Sequence, residues 1–384
     1  MRSIVQTYQD IYGTAHELQV RAPGRINLIG EHTDYNGGFV FPAAVGHEIR
    51  FAIGKSDSPD DCSLYAQDLG ERFDFKLSEM TPLPPNSWGN YLMGVAAEII
   101  KTGRSIQGFN LVFSGDIPRG AGMSSSAAVE CGTCFALSEL FGLKIPRTEI
   151  AQLSQLAEHH FAQVMCGIMD QFASVMGKAG HAFRLDCESL DYDYFTFELQ
   201  DYSLVLCNSN VSHNLADSGY NERRQQCEEG VNILKEHIPG LTSLRHATLE
   251  QLHLLQSEFP ELIFRRCKYV LEENARVNAF ARALEHEDMQ HAGELMKQSQ
   301  KGMQHEYEIT CPEIDFMAEF ANARPETLGA RMTGGGFGGC TINLIQKGTE
   351  ERFVAELNQA YRERFDQEIT PIPIEIADGV SRLL

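Results

Sequence analysis

A glycine- and serine-rich segment at residues 115–128 constrains the fold of this 384-residue chain more than any other feature. Residues 109–113 before it predict a strand, and the residues after it predict a helix that ends near Phe141. Gly120 and Gly122 allow the backbone to approach a ligand closely. The serines that follow lie at the start of the helix, where free N–H groups and the helix dipole attract anions. The segment is therefore either a phosphate-binding loop or a glycine turn with serine caps.

This loop differs from the Walker A loop, which ends in a lysine followed by serine or threonine. Gly115 and Gly120 have the Walker A spacing, but Ala121 and Gly122 stand where the lysine and the hydroxyl residue are required. A serine hydroxyl at the start of the helix can still reach a bound Mg²⁺ ion. A nucleotide triphosphate site here would therefore be of another type.

A second glycine cluster, Gly334, Gly336 and Gly339, satisfies the G-x-G-x-x-G fingerprint of dinucleotide-binding enzymes. That fingerprint must open a helix. Residues 340–345 instead alternate β-branched and other side chains, which predicts a strand. A strand–loop–strand context excludes a nicotinamide-dependent reductase, and these glycines more simply allow close packing of backbones or of a loop against phosphate.

Polar side chains crowd together between residues 25 and 36, next to apolar runs that anchor them in the core. Carboxylates accept hydrogen bonds from hydroxyl groups, and histidine or asparagine can accept or donate. The cluster suits a ligand with several hydroxyl groups, and the alternative is a solvated polar loop. Its members are Arg25, Asn27, Glu31, His32, Asp34, Tyr35 and Asn36.

Two further acidic residues are candidates for chemistry. Asp170 lies among apolar neighbours, where a carboxylate needs a cation or hydrogen-bond donors, or serves as a helix N-cap. Glu158 is a candidate Mg²⁺ ligand at the end of a helix predicted over residues 147–164. His159 and His160 follow it without any zinc-ligand spacing, so we interpret both as structural.

Composition excludes several classes of protein. The formal net charge of −21, from 53 acidic and 32 basic residues, argues against binding to nucleic acids or anionic membranes, since both need a basic face. The start of the chain lacks the apolar core of a signal peptide, and no apolar run reaches membrane-spanning length. The ten cysteines are scattered, and Cys131 and Cys134 lack a partner pair, so we expect reduced thiols in a cytoplasmic protein.

Three segments together resemble the motifs of the GHMP kinase superfamily. Residues 24–35 (GRINLIGEHTDY) resemble the signature of its galactokinase family. Residues 120–128 (GAGMSSSAA) resemble the superfamily's phosphate loop, with Met123 where leucine is more usual. Residues 329–340 (GARMTGGGFGGC) resemble the third, C-terminal motif. The resemblance thus spans nearly the whole chain.

The resemblance implies an α+β fold with two domains and the active site in the cleft between them. Residues 1–190 would form a ribosomal-S5-like domain that binds substrate and phosphate. Residues 191–384 would form a ferredoxin-like domain. The boundary agrees with the new strand signals that begin between residues 185 and 205. We expect a monomer.

The resemblance also implies galactose and ATP as substrates, Mg²⁺ as cofactor, and roles for individual residues. Asp170 would be the catalytic base that faces the C1 hydroxyl, and Arg25 would stabilise the transferring phosphoryl group. The sugar would be held by Glu31, His32, Asp34, Gly167 and Tyr220. The nucleotide would be held by Gly120, Gly122, Met123, Ser124, Ser125, Ser126, Ala127 and, near adenine, Trp88. Mg²⁺ would be held by Ser126 and Glu158.

Two alternatives remain open at this point. The chain could be a kinase of the same superfamily that acts on N-acetylgalactosamine or arabinose, since sequence does not measure the volume of a sugar site. It could also be a non-catalytic sensor of galactose and ATP, although the presence of Arg25, Asp170 and the serine run favours an enzyme.

Overall fold

The order of helices and strands along the chain is that of an α+β protein, as the family resemblance implies. The computed structural model describes residues 3–85, 87–118, 120–197, 199, 201–212 and 216–383. The strands are β1 Leu18–Asn27, β2 Phe39–Val40, β3 Pro42–Lys55, β4 Asp61–Ala66, β5 Glu71–Lys76, β6 Phe109–Gly115, β7 His181–Asp186, β8 Tyr192–Thr196, β9 Tyr202–Ser212, β10 Thr327–Thr333, β11 Gly338–Gln346, β12 Thr370–Pro373 and β13 Ser381–Arg382. The helices are α1 Ile4–Tyr12, α2 Gly89–Lys101, α3 Ser125–Leu140, α4 Arg147–Ala157, α5 Met169–Met176, α6 Ala216–His237, α7 Leu249–Leu254, α8 Glu261–Glu285, α9 Met289–Gly302, α10 Pro312–Asn322 and α11 Glu350–Phe365.

The first sheet has six strands in the order β13-β1-β3-β6-β4-β5. All of its pairs are antiparallel except β4 with β6. Helices α3 and α5 pack against β1 and β3. Their apolar side chains, such as Phe172 and Leu137, lie in one core with Phe51 and Ile26 from the strands. This core fixes both the start of α3 and the start of α5 beside the end of β1.

The second sheet is antiparallel, with the strand order β10-β11-β9-β12. Counted along the chain from β9, this order is 2-3-1-4, and helices connect the first strand to the second and the third to the fourth. That is the ferredoxin-like arrangement. Its first connection is long and carries helices α6–α10. Tyr220 lies on α6, and Val277 and Phe280 of α8 lie in the core shared with the first sheet.

The chain also forms a small third sheet and returns to the first sheet after β12. Strands β2, β7 and β8 form a small third sheet, and β13 returns to pair with β1 through Val20 and Arg21. The division into domains at residues 190 and 191 stays a prediction. None of the helices within the described part of the chain is long and apolar enough to cross a bilayer.

Most of the elements predicted from sequence patterns are confirmed. The strand expected over residues 109–113 is β6, and the helix expected to end near Phe141 is α3, which ends at Leu140. The strand expected after Gly339 is β11, so the exclusion of a dinucleotide fingerprint is confirmed. The helix expected over residues 147–164 differs, because α4 ends at Ala157 and a π-helical turn, Glu158–Ala162, follows it.

Candidate active site

A cavity of about 540 Å³ lies where the segments singled out in the sequence meet. Its walls come from the polar cluster after β1, the loop before α3, the segment before α5, the start of α6 and the glycine loop between β10 and β11. The predicted site residues that line it are Arg25, Glu31, His32, Asp34, Gly120, Gly122, Glu158, Gly167, Asp170 and Tyr220. Residues from separate motifs therefore share one cavity.

Arg25 and Asp170 form an ion pair within this cavity. Arg25 Nε donates to Asp170 Oδ1 over 2.7 Å, and Arg25 Nη2 lies 2.7 Å from the same oxygen. The Arg25 side chain is 4% exposed and that of Asp170 is 27% exposed. Ser124 Oγ donates to the other oxygen, Asp170 Oδ2. Because Ile168 is the N-cap of α5 and Asp170 lies in its first turn, the alternative role of Asp170 as a helix cap is wrong.

A β-bulge next to Gly24 brings Arg25 against the phosphate loop. The register of β1 on β3 shifts between Pro23 and Arg25, and bulges of this kind re-aim a side chain. Arg25 N donates to Met123 O over 3.1 Å, and Arg25 Nη1 donates to Gly122 O. A Cβ at position 24 would lie 2.7 Å from Met123 O, so this approach requires glycine.

The loop before α3 has three residues in the left-handed region, and buried side chains next to them anchor it in the core. The φ angles are positive at three positions, 72° at Gly120, 67° at Gly122 and 56° at Ser124. Met123 and Ala127 are buried in the core, whereas Ser125, the first residue of α3, is exposed. The start of α3 thus presents free backbone N–H groups at a fixed place beside the Arg25–Asp170 pair.

Glu158 lies in the π-helical turn after α4. Single π-helical turns often occur at functional sites. Its carboxylate accepts hydrogen bonds from Ser126 and, over 2.6 Å, from Gln171 Nε2. Burial raises the pKa of Glu158 to about 7, and hydrogen bonds from Cys166 and Ser126 oppose that rise. A hydroxyl and a carboxylate are oxygen ligands that Mg²⁺ prefers, so Ser126 and Glu158 fit such an ion.

The two histidines that follow Glu158 have structural contacts, as the sequence predicts. His159 Nε2 lies 2.8 Å from Cys166 O, and His160 Nδ1 lies 2.9 Å from Glu98 Oε1. Cys131 and Cys134 are buried free thiols in α3. The described residues contain no group of three or more His, Cys, Asp or Glu side chains placed to hold a metal ion.

Asp34 has an unusual environment for a carboxyl group. Asp34 Oδ1 accepts a hydrogen bond from Tyr35 N over 3.0 Å. Burial, and secondly the negative charge of Asp170, raise the pKa of Asp34 to about 6. Gly167, in the segment before α5, lies against the Asp34 carboxylate. The predicted pair of sugar residues is therefore in direct contact.

His32 is a neutral hydrogen-bonding residue in this site. Its side chain is nearly inaccessible, and burial lowers the pKa of His32 to about 4. His32 Nε2 donates to Gly335 O over 3.0 Å, so Nδ1 accepts from the Tyr35 hydroxyl at 2.7 Å. The ring of Tyr220 lies 4.8 Å from the imidazole, centroid to centroid. These contacts fix the orientation of the imidazole.

The third motif packs directly on the first two. The Glu31 carboxylate pairs with Arg331, and Glu31 Oε1 accepts from Gly334 N over 3.2 Å. A Cβ at position 334 would lie 2.9 Å from Gly122 O, and φ there is +92°. The glycines of the third motif therefore allow two backbones to approach, as expected from the sequence.

Trp88 lies apart from the other predicted residues. It precedes α2, its indole Nε1 donates to Glu71 Oε2 over 2.7 Å, and its ring contacts those of Phe73 and Phe113. Of the described residues in its vicinity, Pro85 lines the cavity and Trp88 does not. A place near adenine for Trp88 stays a prediction.

Sequence reasoning missed two buried residues that support the site. Arg331 contacts Glu31 from the end of β10, and Gln171 Nε2 bridges Glu158 and Glu130, at 2.6 and 3.1 Å. Arg331 lies inside the third motif and Gln171 directly after Asp170. Their position in sequence, within or next to a motif, was the only indication of a role. The residues that they contact are distant in the chain.

Comparison with protein families matches most of the length of the chain. Residues 6–55 match the galactokinase galactose-binding signature, residues 90–178 match the N-terminal domain of GHMP kinases, and residues 280–363 match their C-terminal domain. The match to the signature contains the polar cluster after β1. The match to the N-terminal domain contains the phosphate loop and Asp170.

Individual relatives agree with these matches. The chain is 41% identical to a galactokinase of Thermotoga neapolitana, over 95% of this chain and 100% of the relative. It is 37% identical to a galactokinase of Roseiflexus sp., over 99% of this chain and 96% of the relative.

Solved structures show the same relationship. The structure of Lactococcus lactis galactokinase in complex with galactose superposes with a TM-score of 0.95, at 33% identity and 99% coverage of both chains. Methanococcus jannaschii mevalonate kinase shares the fold alone, with a TM-score of 0.67 at 18% identity, over 95% of this chain and 99% of that one. With the family matches and relatives above, these structures establish that the chain belongs to the galactokinases of the GHMP kinase family.

Proposed function

We propose that this chain transfers the γ-phosphoryl group of ATP to the C1 hydroxyl of galactose, giving α-D-galactose 1-phosphate and ADP. The observation that carries the proposal is the Arg25–Asp170 ion pair beside the phosphate loop, in a cavity also lined by Asp34 and His32. The match of residues 6–55 to the galactose-binding signature supports galactose as the acceptor.

In the proposed reaction, Asp170 accepts the proton of the C1 hydroxyl while the bond between that oxygen and the γ-phosphorus forms. The bond from the γ-phosphorus to the oxygen that bridges it to the β-phosphorus breaks, and ADP leaves. Arg25 holds Asp170 Oδ1, so Oδ2, which Ser124 contacts, is the oxygen available to the sugar. The transition state of phosphoryl transfer is loose, so positioning and charge stabilisation supply most of the catalysis. Arg25 contributes to the charge stabilisation.

The sugar-binding roles follow from the hydrogen-bonding capacity of each side chain. Ionised Glu31 and Asp34 accept hydrogen bonds from sugar hydroxyls. Neutral His32 and the Tyr220 hydroxyl complete the polar wall of the cavity. Gly167 has no side chain and therefore leaves room for the Asp34 carboxylate.

The nucleotide roles rest on the loop before α3. Backbone N–H groups of Gly120 and of residues 122–127 bind the phosphates at the helix N-terminus, and Trp88 lies near the adenine. Mg²⁺ would be held by Ser126 and Glu158, whose oxygen atoms suit it. When bound there, it would neutralise charge on the β- and γ-phosphates.

The proposal is tested by the release of ADP from purified protein with Mg·ATP and each of galactose, N-acetylgalactosamine, arabinose and glucose. We expect turnover with galactose, and a loss of about 10²–10⁴-fold in Asp170→Asn, as is typical when a general base is removed. The matched control is Asp193→Asn, which carries the same change on an exposed residue of β8 and should retain full turnover.

Each alternative gives a distinct result. Turnover that is higher with N-acetylgalactosamine or arabinose would assign a different sugar to the same chemistry. Galactose-dependent stabilisation against heat without any ADP release would indicate a sensor. Near-normal turnover in folded Asp170→Asn would refute the role of Asp170 as the base.

A further inference from the structure

Arg331 is a fully buried arginine whose guanidinium joins two separate segments of the chain. It lies near the end of β10, and its side chain has no exposed surface. Arg331 Nη1 donates to Asn27 O and Leu28 O, each over 3.1 Å, at the end of the strand that carries Arg25. Arg331 Nη2 donates to Glu31 Oε2.

Glu31 is the only partner of opposite charge that this guanidinium contacts among the described residues. Its side chain is 1% exposed. Burial raises the pKa of Glu31, and the charge and hydrogen bond of Arg331 oppose this rise. An ionised carboxylate has about four acceptor positions. Arg331 and Gly334 N use two of them, so capacity remains for a sugar hydroxyl in the cavity that Glu31 lines.

The buried Arg331–Glu31 ion pair is poorly suited to stabilising the folded protein alone. Arg331 Nε has no hydrogen-bond partner among the described residues. Buried ion pairs with incomplete hydrogen bonding are commonly matched or surpassed in stability by apolar side chains of similar volume. A structural role would thus be served as well by a hydrophobic pair, whereas a charged, oriented Glu31 requires a cation behind it.

We propose that Arg331 is a positioning residue for the sugar, which acts by holding the Glu31 carboxylate in the direction of one galactose hydroxyl. Arg331 itself does not line the cavity in the described part of the chain, so it acts through Glu31 and does not touch the substrate. The inference rests on the proposed function, because it assumes that Glu31 binds the sugar.

The test compares how strongly variants discriminate between galactose and its monodeoxy analogues. The wild-type protein should bind one analogue about 10- to 100-fold more weakly than galactose, namely the one that lacks the hydroxyl held by Glu31, because a hydrogen bond to a charged group contributes that factor. Affinities are measured by calorimetry, and kcat/KM is measured beside them.

The informative variants are Glu31→Gln, Arg331→Gln and Arg331→Lys. We expect Glu31→Gln and Arg331→Gln to lose discrimination at the same hydroxyl position and at no other. Arg331→Lys should retain part of it, because lysine keeps the charge but cannot bond Glu31 and both carbonyls together. Combining Arg331→Lys with Glu31→Gln should lose no more than Glu31→Gln alone, since both changes act on one contact.

The matched control is Arg266→Gln. Arg266 is also buried, at 1% exposure, with Nε donating to Gln226 Oε1 over 3.0 Å and Nη2 lying 2.5 Å from Glu308 Oε2. It contacts neither Glu31 nor the end of β1 in the described structure. Arg266→Gln loses stability because a buried guanidinium is removed, as in Arg331→Gln. It should keep wild-type discrimination at every hydroxyl of the sugar.

Full wild-type discrimination in folded Arg331→Gln would overturn the inference, as would a loss spread over all hydroxyl positions. If Arg331→Gln does not fold, Arg331→Lys decides by the same comparison, and unchanged discrimination there would also overturn it. Failure of the proposed function shows separately, as wild-type protein that binds galactose but does not phosphorylate it. The binding ratios then still test the role of Arg331.

Discussion

Gly167 lies so close to Asp34 that a Cβ atom at position 167 would be 1.9 Å from Asp34 Oδ2. That distance is shorter than any non-bonded contact allows, so a side chain at this position must displace the carboxylate. Gly167 belongs to the segment before α5 and Asp34 to the loop after β1. The direction of the Asp34 carboxylate therefore depends on a glycine from another part of the chain.

We predict that Gly167→Ala lowers kcat/KM for galactose by about 10- to 100-fold, because the displaced Asp34 loses a charged hydrogen bond to the sugar. KM for ATP should change little. Steady-state kinetics checks both values. The control is Gly46→Ala in β3, where the added Cβ would meet only Glu375, at ordinary distances of 3.7 Å from Cβ and 3.9 Å from O. An unimpaired Gly167→Ala enzyme would show that Asp34 does not hold the sugar.

The raised pKa of Asp34, about 6, predicts a pH profile for galactose. Below pH 6 the carboxyl is protonated and loses acceptor capacity. We therefore expect kcat/KM for galactose, at saturating Mg·ATP, to fall up to about tenfold per pH unit below pH 6 and to level off above it. Asp34→Asn should abolish this limb, and a profile with the same limb in Asp34→Asn would assign it to another group.

The raised pKa of Asp34 also makes the free energy of unfolding depend on pH. The pKa of Asp34 rises from 3.8 to about 6, so the folded protein keeps a proton that the unfolded chain has lost. The contribution of Asp34 to the free energy of unfolding therefore decreases as the pH rises from about 4 to about 6. Urea titrations of wild type and Asp34→Asn across this range check the sign.

Binding of Mg·ADP should release a proton near neutral pH. Burial raises the pKa of Glu158 to about 7, and a metal ligand must be ionised. Calorimetry in two buffers of different ionisation enthalpy measures the release, which Glu158→Gln should remove while raising the Mg²⁺ concentration needed for turnover. Chelation of Mg²⁺ should abolish turnover. Exposed Glu139→Gln in α3 is the control, and proton release that persists in Glu158→Gln would contradict the assignment.

Trp88 is the only tryptophan, so its fluorescence reports on one place. It follows shortly after Pro85, which lines the cavity. We expect its emission to change when Mg·ATP is added and to stay constant with galactose alone. Trp88→Phe should raise KM for ATP by a few-fold. Emission that does not respond to saturating Mg·ATP would show that Trp88 is remote from adenine and serves the packing with Phe113.

Local sequence patterns were sufficient for many of the helices and strands and for the polar cluster that lines the cavity, whereas Gly167 and Tyr220 were expected only from the resemblance. The alternation after Gly339 indicated β11, and the glycine–serine segment indicated the start of α3. Glycine positions were informative because backbone approach leaves few alternatives, as Gly24 against Met123 O shows. Such features are encoded within a few residues of each other.

Contacts between distant segments could not be obtained in this way. Arg331 and Glu31 are 300 residues apart in the chain, and nothing near either residue specifies the other. The π-helical turn at Glu158 could not be predicted from sequence either, because the helical pattern of residues continues through it. Tertiary contacts, such as that between Glu158 and Gln171, stabilise the turn. Roles that depend on such contacts require the folded structure.

The pairing of β13 with β1 has a consequence for how this protein is made. Arg21 Nε donates to Ser381 Oγ over 3.0 Å, across 360 residues of sequence. The strand that carries Arg25 therefore has an unpaired edge during synthesis until Ser381 and Arg382 have emerged from the ribosome. Contacts of such long range slow folding and leave strand edges open to other chains. During synthesis, the sheet that holds Arg25 is completed only once Ser381 and Arg382 are available to pair with β1, 360 residues after Arg21.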